Sequence, residues 1–300
     1  MDKLFELQTF QQLARITGET VRELQFLANS MDRNVSVVLE PKKQGGLRKI
    51  CKPSFRLKNL QRSINQNILQ VVPLPTFLHG AVKGKSTKAF AQEHIGMPFV
   101  LTVDIKDFYP SIHYSRIFVI FCETGCSNTI ARLLTKLCTF DGCLAQGFPT
   151  SSSLANLTLA KMAHRFDGIE KQHKIKIGSF QDDLIISGGY RIPRLFSLFK
   201  KVLQQEGFLL HLGEKKKEMS RDGRQETVGY VINHKVNVPK EYYRNLRKTI
   251  HLCKVKGIEV VAGEVPVEKF RRSLIGRIQY VAGVNPTRGM KLLADFKTIE

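Results

Sequence analysis

A chain of 300 residues is long enough to bury a full core, as one large domain or as two or three subdomains. Its 47 Lys and Arg against 26 Asp and Glu give a formal charge of +21, with basic residues recurring along the whole chain, the footprint of a polyanionic partner because each neutralised phosphate releases condensed counterions. No apolar run approaches the ~18 residues of a spanning helix and the start MDKLFELQTF lacks a signal peptide's basic opening and apolar middle, so a cytoplasmic protein with no membrane partner is expected.

In chain order, the first forty residues read as helical. TFQQLARITGETVRELQFLA is helix, turn at Thr17 and Gly18, then helix, an outline shared with helix-turn-helix motifs but more often plain packing. VSVVLEPKKQGGLRKICKP reads as a hairpin whose two β-rich runs flank Pro41 to Gly46. RLKNLQRSINQNILQVV sets Leu57, Leu60, Ile64, Ile68 and Leu69 at helical spacing with basic side chains on the other face, and PLP ends it. His94, after KAFAQE, reads as an ordinary surface or capping histidine.

FVLTVDIKDFYPSI then holds an apolar strand, Phe99 to Ile105, with Asp104 at its tail. Cys122, Cys126, Cys138 and Cys143 are spaced closely enough to suggest a four-thiolate zinc site, yet they interleave with Phe121, Ile130, Leu133, Leu134 and Leu137 in amphipathic helix, so reduced thiols and no zinc are expected. GFPTSSSLANLTLAKMAHRF is a turn leading into a long helix, and HKIKIGSF and LIISGG are strands flanking Gln181, Asp182 and Asp183. The helix RLFSLFKKVLQQEGF stops at Gly207, ETVGYVINHKVNV makes a second hairpin, and from about Pro239 the chain is helical and strongly basic.

Two adjacent aspartates in a tight turn are commonplace, because Asp stabilises turns through its own backbone contacts. Here they sit at the tip of a two-strand unit while a second strand ends in Asp104, so one sheet could bring three carboxylates to a common edge. Hard oxygen ligands of that kind suit Mg²⁺, and two ions ~3.5–4 Å apart can activate an attacking hydroxyl and stabilise the leaving oxygen of an in-line displacement.

LTVDIKDFYPSI, AQGFPTSSSLANL and SFQDDLIISG, in that order and at these separations, resemble the core motifs of reverse transcriptases. LRKICKPSFRLKNLQ and HGAVKGKST resemble the fingers segments, EGFLLHLGEKKKEM the lysine-bearing motif after the catalytic hairpin, and TVGYVI the primer-grip hairpin. ARITGETVREL and FRRSLIGRIQYVAGVNP resemble the terminal segments of the short bacterial retron type, so this type is expected over the group II intron enzymes, which carry a maturase domain beyond the thumb.

The resemblance implies an α+β right-hand polymerase with an antiparallel palm sheet. It implies an N-terminal helical extension over 1–40, fingers over 41–98, a palm over 99–234 with the remaining fingers elements inserted at about 113–145, and a basic helical thumb over 235–300. Asp104, Asp182 and Asp183 would be catalytic and, with the Ile105 carbonyl, would hold two Mg²⁺ ions, Mn²⁺ being a substitute. Tyr109 would be a steric gate meeting the sugar's 2′ position, Gln146 and Gly147 would line the incoming nucleotide, Arg48 would grip its phosphates, and Lys215, or Lys216 one place on, would lie near the pyrophosphate. Lys58, Arg62, Arg244, Arg247, Arg271 and Arg272 would contact nucleic acid.

The implied activity is RNA-directed DNA synthesis. The implied partners are a structured RNA template and its DNA product, deoxynucleoside triphosphates and an effector protein in defence against phage. A polymerase of different template use and a non-catalytic RNA-binding scaffold are the alternatives. The chain departs from the family pattern at Phe180 and Gln181, where tyrosine then alanine usually precede the two aspartates, at Phe90 in place of an asparagine, and at Thr227, Val228 and Gly229 in place of a VTG triplet.

Overall fold

The computed structural model describes residues 6–42, 45–189, 191–213 and 216–299. Helix α1 (Phe10–Thr17) opens on a capping box, in which the Thr9 hydroxyl accepts from the Gln12 N–H and the Gln12 side chain accepts from the Thr9 N–H. Thr20 caps α2 (Val21–Asn29) with its hydroxyl, and the short α3 (Met31–Asn34) feeds an antiparallel hairpin of β1 (Val35–Pro41) and β2 (Leu47–Pro53). Ser54 caps α4 (Phe55–Ile64), which buries Leu57, Leu60 and Ile64 and runs on through a π-helical turn at Asn65–Leu69 that buries Ile68 and Leu69.

After these come α5 (Thr87–Gln92), β3 (Phe99–Asp104), α6 (Tyr114–Glu123), α7 (Asn128–Cys138), the two-residue strands β4 (Thr139–Phe140) and β5 (Cys143–Leu144), α8 (Ser151–Ala160) and α9 (Ala163–His173). The second half holds β6 (Lys176–Phe180), β7 (Asp183–Gly188), α10 (Ile192–Gln205), β8 (Lys217–Ser220), β9 (Glu226–Thr227), β10 (Tyr230–Val231), α11 (Lys240–Lys256), α12 (Ile258–Ala262), α13 (Val267–Val284) and α14 (Pro286–Lys297). The chain divides into two compact units, Met1–Ser86 with Leu101–Glu218, and Thr87–Val100 with Met219–Glu300.

The first unit is built on a sheet of order β6-β7-β3-β8. β6 and β7 pair antiparallel from Lys176↔Ser187 to Phe180↔Asp183, which leaves Gln181 and Asp182 as a two-residue turn. Ile177, Leu184, Ile185 and Ile186 are buried, so these strands read as apolar runs rather than as an alternation. Helix α8 buries Leu154, Ala155, Asn156, Leu157, Thr158 and Leu159 in succession, the pattern of a helix enclosed on all sides. Alongside β6 runs Phe77–His79: the Ser179 N–H donates to the Phe77 carbonyl at 2.8 Å and the His79 N–H to the Ser179 carbonyl at 2.9 Å.

In the second unit, β9 and β10 form a small antiparallel hairpin, and helices α11 to α14 close over Leu246, Ile250, Leu274, Ile278, Val281, Leu292 and Phe296. His94 belongs to this unit and corrects the expectation of a surface or capping residue. In the turn after α5, where its N–H donates to the Ala91 carbonyl at 3.3 Å, it is fully buried and meets the Phe90 ring edge-on with centroids 5.4 Å apart.

The cysteines are all free thiols. Burial pushes the Cys126 thiol up to about 11 and the Cys138 thiol up to about 12, so neither supplies a thiolate near neutral pH.

Candidate active site

Asp104 is the last residue of β3, and the backbone on either side of it ties two strand ends together. The Ile105 N–H donates to the Asp182 carbonyl at 2.9 Å, setting the tail of β3 beside the β6–β7 turn. On the other side the His211 N–H donates to the Asp104 carbonyl at 2.8 Å, and His211 Nε2 lies 3.7 Å from Asp104 Oδ2. The Asp104 side chain is only 12 % exposed, Asp182 is half-buried and Asp183 is exposed. A carboxylate this enclosed is costly unless a cation or donor meets it, so the position itself calls for positive charge.

Tyr109 stands in the turn after β3, where Asp107 takes a φ of +46° and its carbonyl accepts from the Ser111 N–H. The phenol is half-buried; its hydroxyl donates to Gln181 Oε1 at 2.7 Å and lies 3.0 Å from Ser152 Oγ on α8. Burial raises the Tyr109 pKa, the nearby Asp182 charge adds to the rise, and the Ser152 hydrogen bond opposes it. At neutral pH Tyr109 is therefore a neutral donor.

Gln146 and Gly147 are held by the β1–β2 hairpin. The Cys51 N–H on β2 donates to the Gln146 carbonyl at 2.8 Å, and Gly147 takes a φ of +114° with its backbone pressed so close that a Cβ would stand 2.4 Å from the Cys51 carbonyl oxygen. Arg48 lies on the same strand as Cys51, exposed and opposite Glu40. Lys215 lies outside the described residues. Lys216, the alternative one place on, pairs with Glu218 at 2.6 Å and sets its Nζ 4.2 Å above the Phe196 ring.

Lys58 and Arg62, four apart, share the exposed face of α4. In the second unit, Arg244 and Arg247 join Lys248, His251, Lys254 and Asp295 around a cavity of about 530 Å³, while on α13 Arg272 is exposed and Arg271 half-buried.

Sequence reasoning does not single out Ser152, His211 or Gly80, and Gln181 enters it only as a departure from a pattern. Gly80 sits against the turn so tightly that a Cβ would lie 2.5 Å from the Gln181 backbone N, and its carbonyl accepts from Asn156 Nδ2 at 2.7 Å. Of these, Gln181 carries a usable signal: a two-residue hairpin turn favours Gly, Asn or Asp, and a glutamine there marks a site held by something else.

Among the described residues no group of three or more His, Cys, Asp and Glu is gathered so that it could hold a metal ion. The donor chemistry at the joined strand ends nevertheless fits a hard divalent cation. Asp104 and Asp182 offer carboxylate oxygens there, and the Ile105 backbone lies between them in the same hydrogen-bonded step.

Residues 40–232 match the family model described as Reverse transcriptase (RNA-dependent DNA polymerase). The chain is 30 % identical over 272 residues to the Retron Mx65 reverse transcriptase of Myxococcus xanthus, covering 84 % of this chain and 62 % of that protein. It is 29 % identical over 299 residues to the Retron Ec86 reverse transcriptase of Escherichia coli, covering 95 % of this chain and 93 % of the relative. Among solved structures, apo telomerase from Candida tropicalis aligns with a TM-score of 0.49 at 12 % identity, over 89 % of this chain and 61 % of that one.

Proposed function

This chain belongs to the reverse transcriptase family, and from that premise we propose that it is an RNA-directed DNA polymerase of the retron type, synthesising DNA on a structured RNA from deoxynucleoside triphosphates. The observation that carries the reading is the hydrogen bond from the Ile105 N–H to the Asp182 carbonyl, which joins the two strand ends bearing the acidic side chains. Phosphoryl transfer depends on positioning and charge neutralisation more than on any nucleophilic side chain, so acidic strand ends flanked by nucleotide contacts are chemically sufficient.

In this reading Asp104 and Asp182 are the principal ligands of two Mg²⁺ ions, replaceable by Mn²⁺, with Asp183 and the Ile105 carbonyl completing the set. The ions would lower the pKa of the attacking hydroxyl and neutralise the developing charge on the phosphate oxygens. Tyr109, neutral and half-buried, presents its ring at the 2′ position of the incoming sugar. Gln146 and Gly147 line that nucleotide from the loop docked on β2, Arg48 approaches its phosphates from the same strand, and the pyrophosphate role is assigned to Lys215 or, one place on, Lys216. The exposed Lys58 and Arg62 on α4, and separately Arg244, Arg247, Arg271 and Arg272 in the second unit, take phosphates of the template and product. The fingers, palm and thumb assignments over 41–98, 99–234 and 235–300 belong to the same reading. The biological setting we propose is anti-phage defence in the cytoplasm, with an effector protein as partner.

Primer extension on an RNA template tests the core of this. Asp104→Asn and Asp182→Asn are each expected to lower extension by about 10³-fold or more, the scale of losing a charge-stabilising group in the transition state, with RNA binding largely retained. Chelation of divalent ions should abolish extension, and Mg²⁺ or Mn²⁺ should restore it. Equal loss of folding and binding in the aspartate variants would count against a catalytic role. Tyr109→Ala is expected to admit ribonucleotides; an unchanged preference for the deoxy sugar would remove the gate assignment.

A further inference from the structure

The turn residue Gln181 is conformationally costly where it stands. It is a non-glycine with a φ of +61° at the first central position of a two-residue hairpin turn, a strained backbone state that persists only where the surroundings enforce it. Here they do so at three points. Ser179 Oγ donates to the Gln181 carbonyl at 2.9 Å, Gly80 receives the Gln181 side chain so closely that a Cβ would lie 2.8 Å from its Cγ, and Asn156 holds Gly80 in turn. The outcome of this enforcement is one polar contact: Gln181 Oε1 accepts from the Tyr109 hydroxyl at 2.7 Å. The amide nitrogen of the same side chain is buried with no hydrogen-bond partner among the described residues, so the acceptor end is the part in use.

We infer that Gln181 is a positioning residue for sugar selection. With Ser152 it clamps the Tyr109 hydroxyl, fixing the tilt and height of the ring that reads the 2′ position. The inference rests on the reading of Tyr109 as the sugar gate and deepens it: the gate depends on its hydroxyl, and a phenylalanine ring would not substitute for it. The physical reason is that a gate excludes one oxygen atom, so a ring free to rock by a fraction of an ångström against α8 no longer discriminates. Two hydrogen bonds on one hydroxyl, to the catalytic turn and to α8, remove that freedom. They also tie the gate's position to that of Asp182, the next residue in the turn.

The test is the ratio of deoxy- to ribonucleotide incorporation, as kcat/KM on one primer and RNA template, in the full-length protein. Four variants are compared: Tyr109→Ala, Tyr109→Phe, Gln181→Met, and Tyr109→Phe with Gln181→Met. Methionine matches the length of glutamine without the acceptor. Gln181→Met is expected to lower the ratio by about 3- to 10-fold, the range of one neutral hydrogen bond, Tyr109→Phe by at least as much because it also loses the Ser152 bond, and the double variant no further than Tyr109→Phe alone. A turn that merely supported the fold would lower incorporation of both sugars together and leave the ratio unmoved. If Tyr109→Ala loses discrimination while Tyr109→Phe and Gln181→Met keep it, the gate stands and the clamp is overturned. Additive losses in the double variant, or a loss in Gln181→Met not matched by Tyr109→Phe, would likewise overturn it, because Gln181 would then act by another route. If Tyr109→Ala keeps discrimination, the gate reading falls and the clamp with it.

Discussion

At the scale of single residues, the β6–β7 turn depends on a missing side chain as much as on those present. Gly80 carries no Cβ, and the Gln181 backbone N lies only 2.5 Å from the place where one would be. Gly80→Ala must therefore displace the turn, since the obstructing atom is backbone and cannot rotate aside. We expect the variant to lose about 1–3 kcal/mol in denaturant unfolding, the usual cost of overpacking a close contact, with a fall in extension beyond what the lost folded fraction accounts for. A variant with wild-type stability and activity would mean that the Phe77–Gly80 segment is not what holds the turn. His94 makes the complementary point: its burial against Phe90 is not legible in the sequence, because only the folded chain shows what packs over the turn after α5.

At the scale of elements, the β1–β2 hairpin and the loop before α8 are joined at Cys51. The Cys51 N–H to Gln146 carbonyl bond and the close approach of Gly147 to the Cys51 carbonyl place Gln146 and Gly147 against the strand that bears Arg48. Gly147→Ala meets two obstacles, a φ of +114° that side chains avoid and a Cβ position 2.4 Å from a carbonyl oxygen. The expected result is a raised KM for the nucleotide, by about 10-fold or more, because a displacement of an ångström in a positioning element is costly. Steady-state kinetics with varied nucleotide would show it; an unchanged KM would detach this loop from nucleotide binding. Helix ends and hairpins are legible in the sequence because their signals are local: Thr9 with Gln12, Ser54 before α4, and the glycine pair in the β1–β2 connection each act within a few residues.

At the scale of the whole molecule, the net charge of +21 is a statement about polyanion binding. Binding of an RNA template should weaken steeply with salt, and each phosphate-contacting cation removed should reduce the slope of log K against log salt by about 1. Arg244→Ala and Arg247→Ala, which line the basic cavity of the second unit, are expected to do so, with little change in the KM for nucleotides measured at saturating template. A slope equal to wild type in both would show that this cavity does not contact the nucleic acid.

By itself the amino-acid sequence determined the class of chemistry and the local elements: acidic residues at a strand end and at a hairpin tip, a Gly/Pro/Ser turn before an apolar helix, and a strongly basic composition. These depend on residue type and short spacing, which a linear chain carries in full. Only the tertiary structure decided how the turn is held. Gly80, Ser152 and Gln181 lie 72 and 29 residues apart along the chain, and neither Gly80 nor Ser152 stands out in its own neighbourhood. Their roles arise from hydrogen bonds and close contacts across that separation, and a contact between distant segments exists only once the core has folded and brought them together.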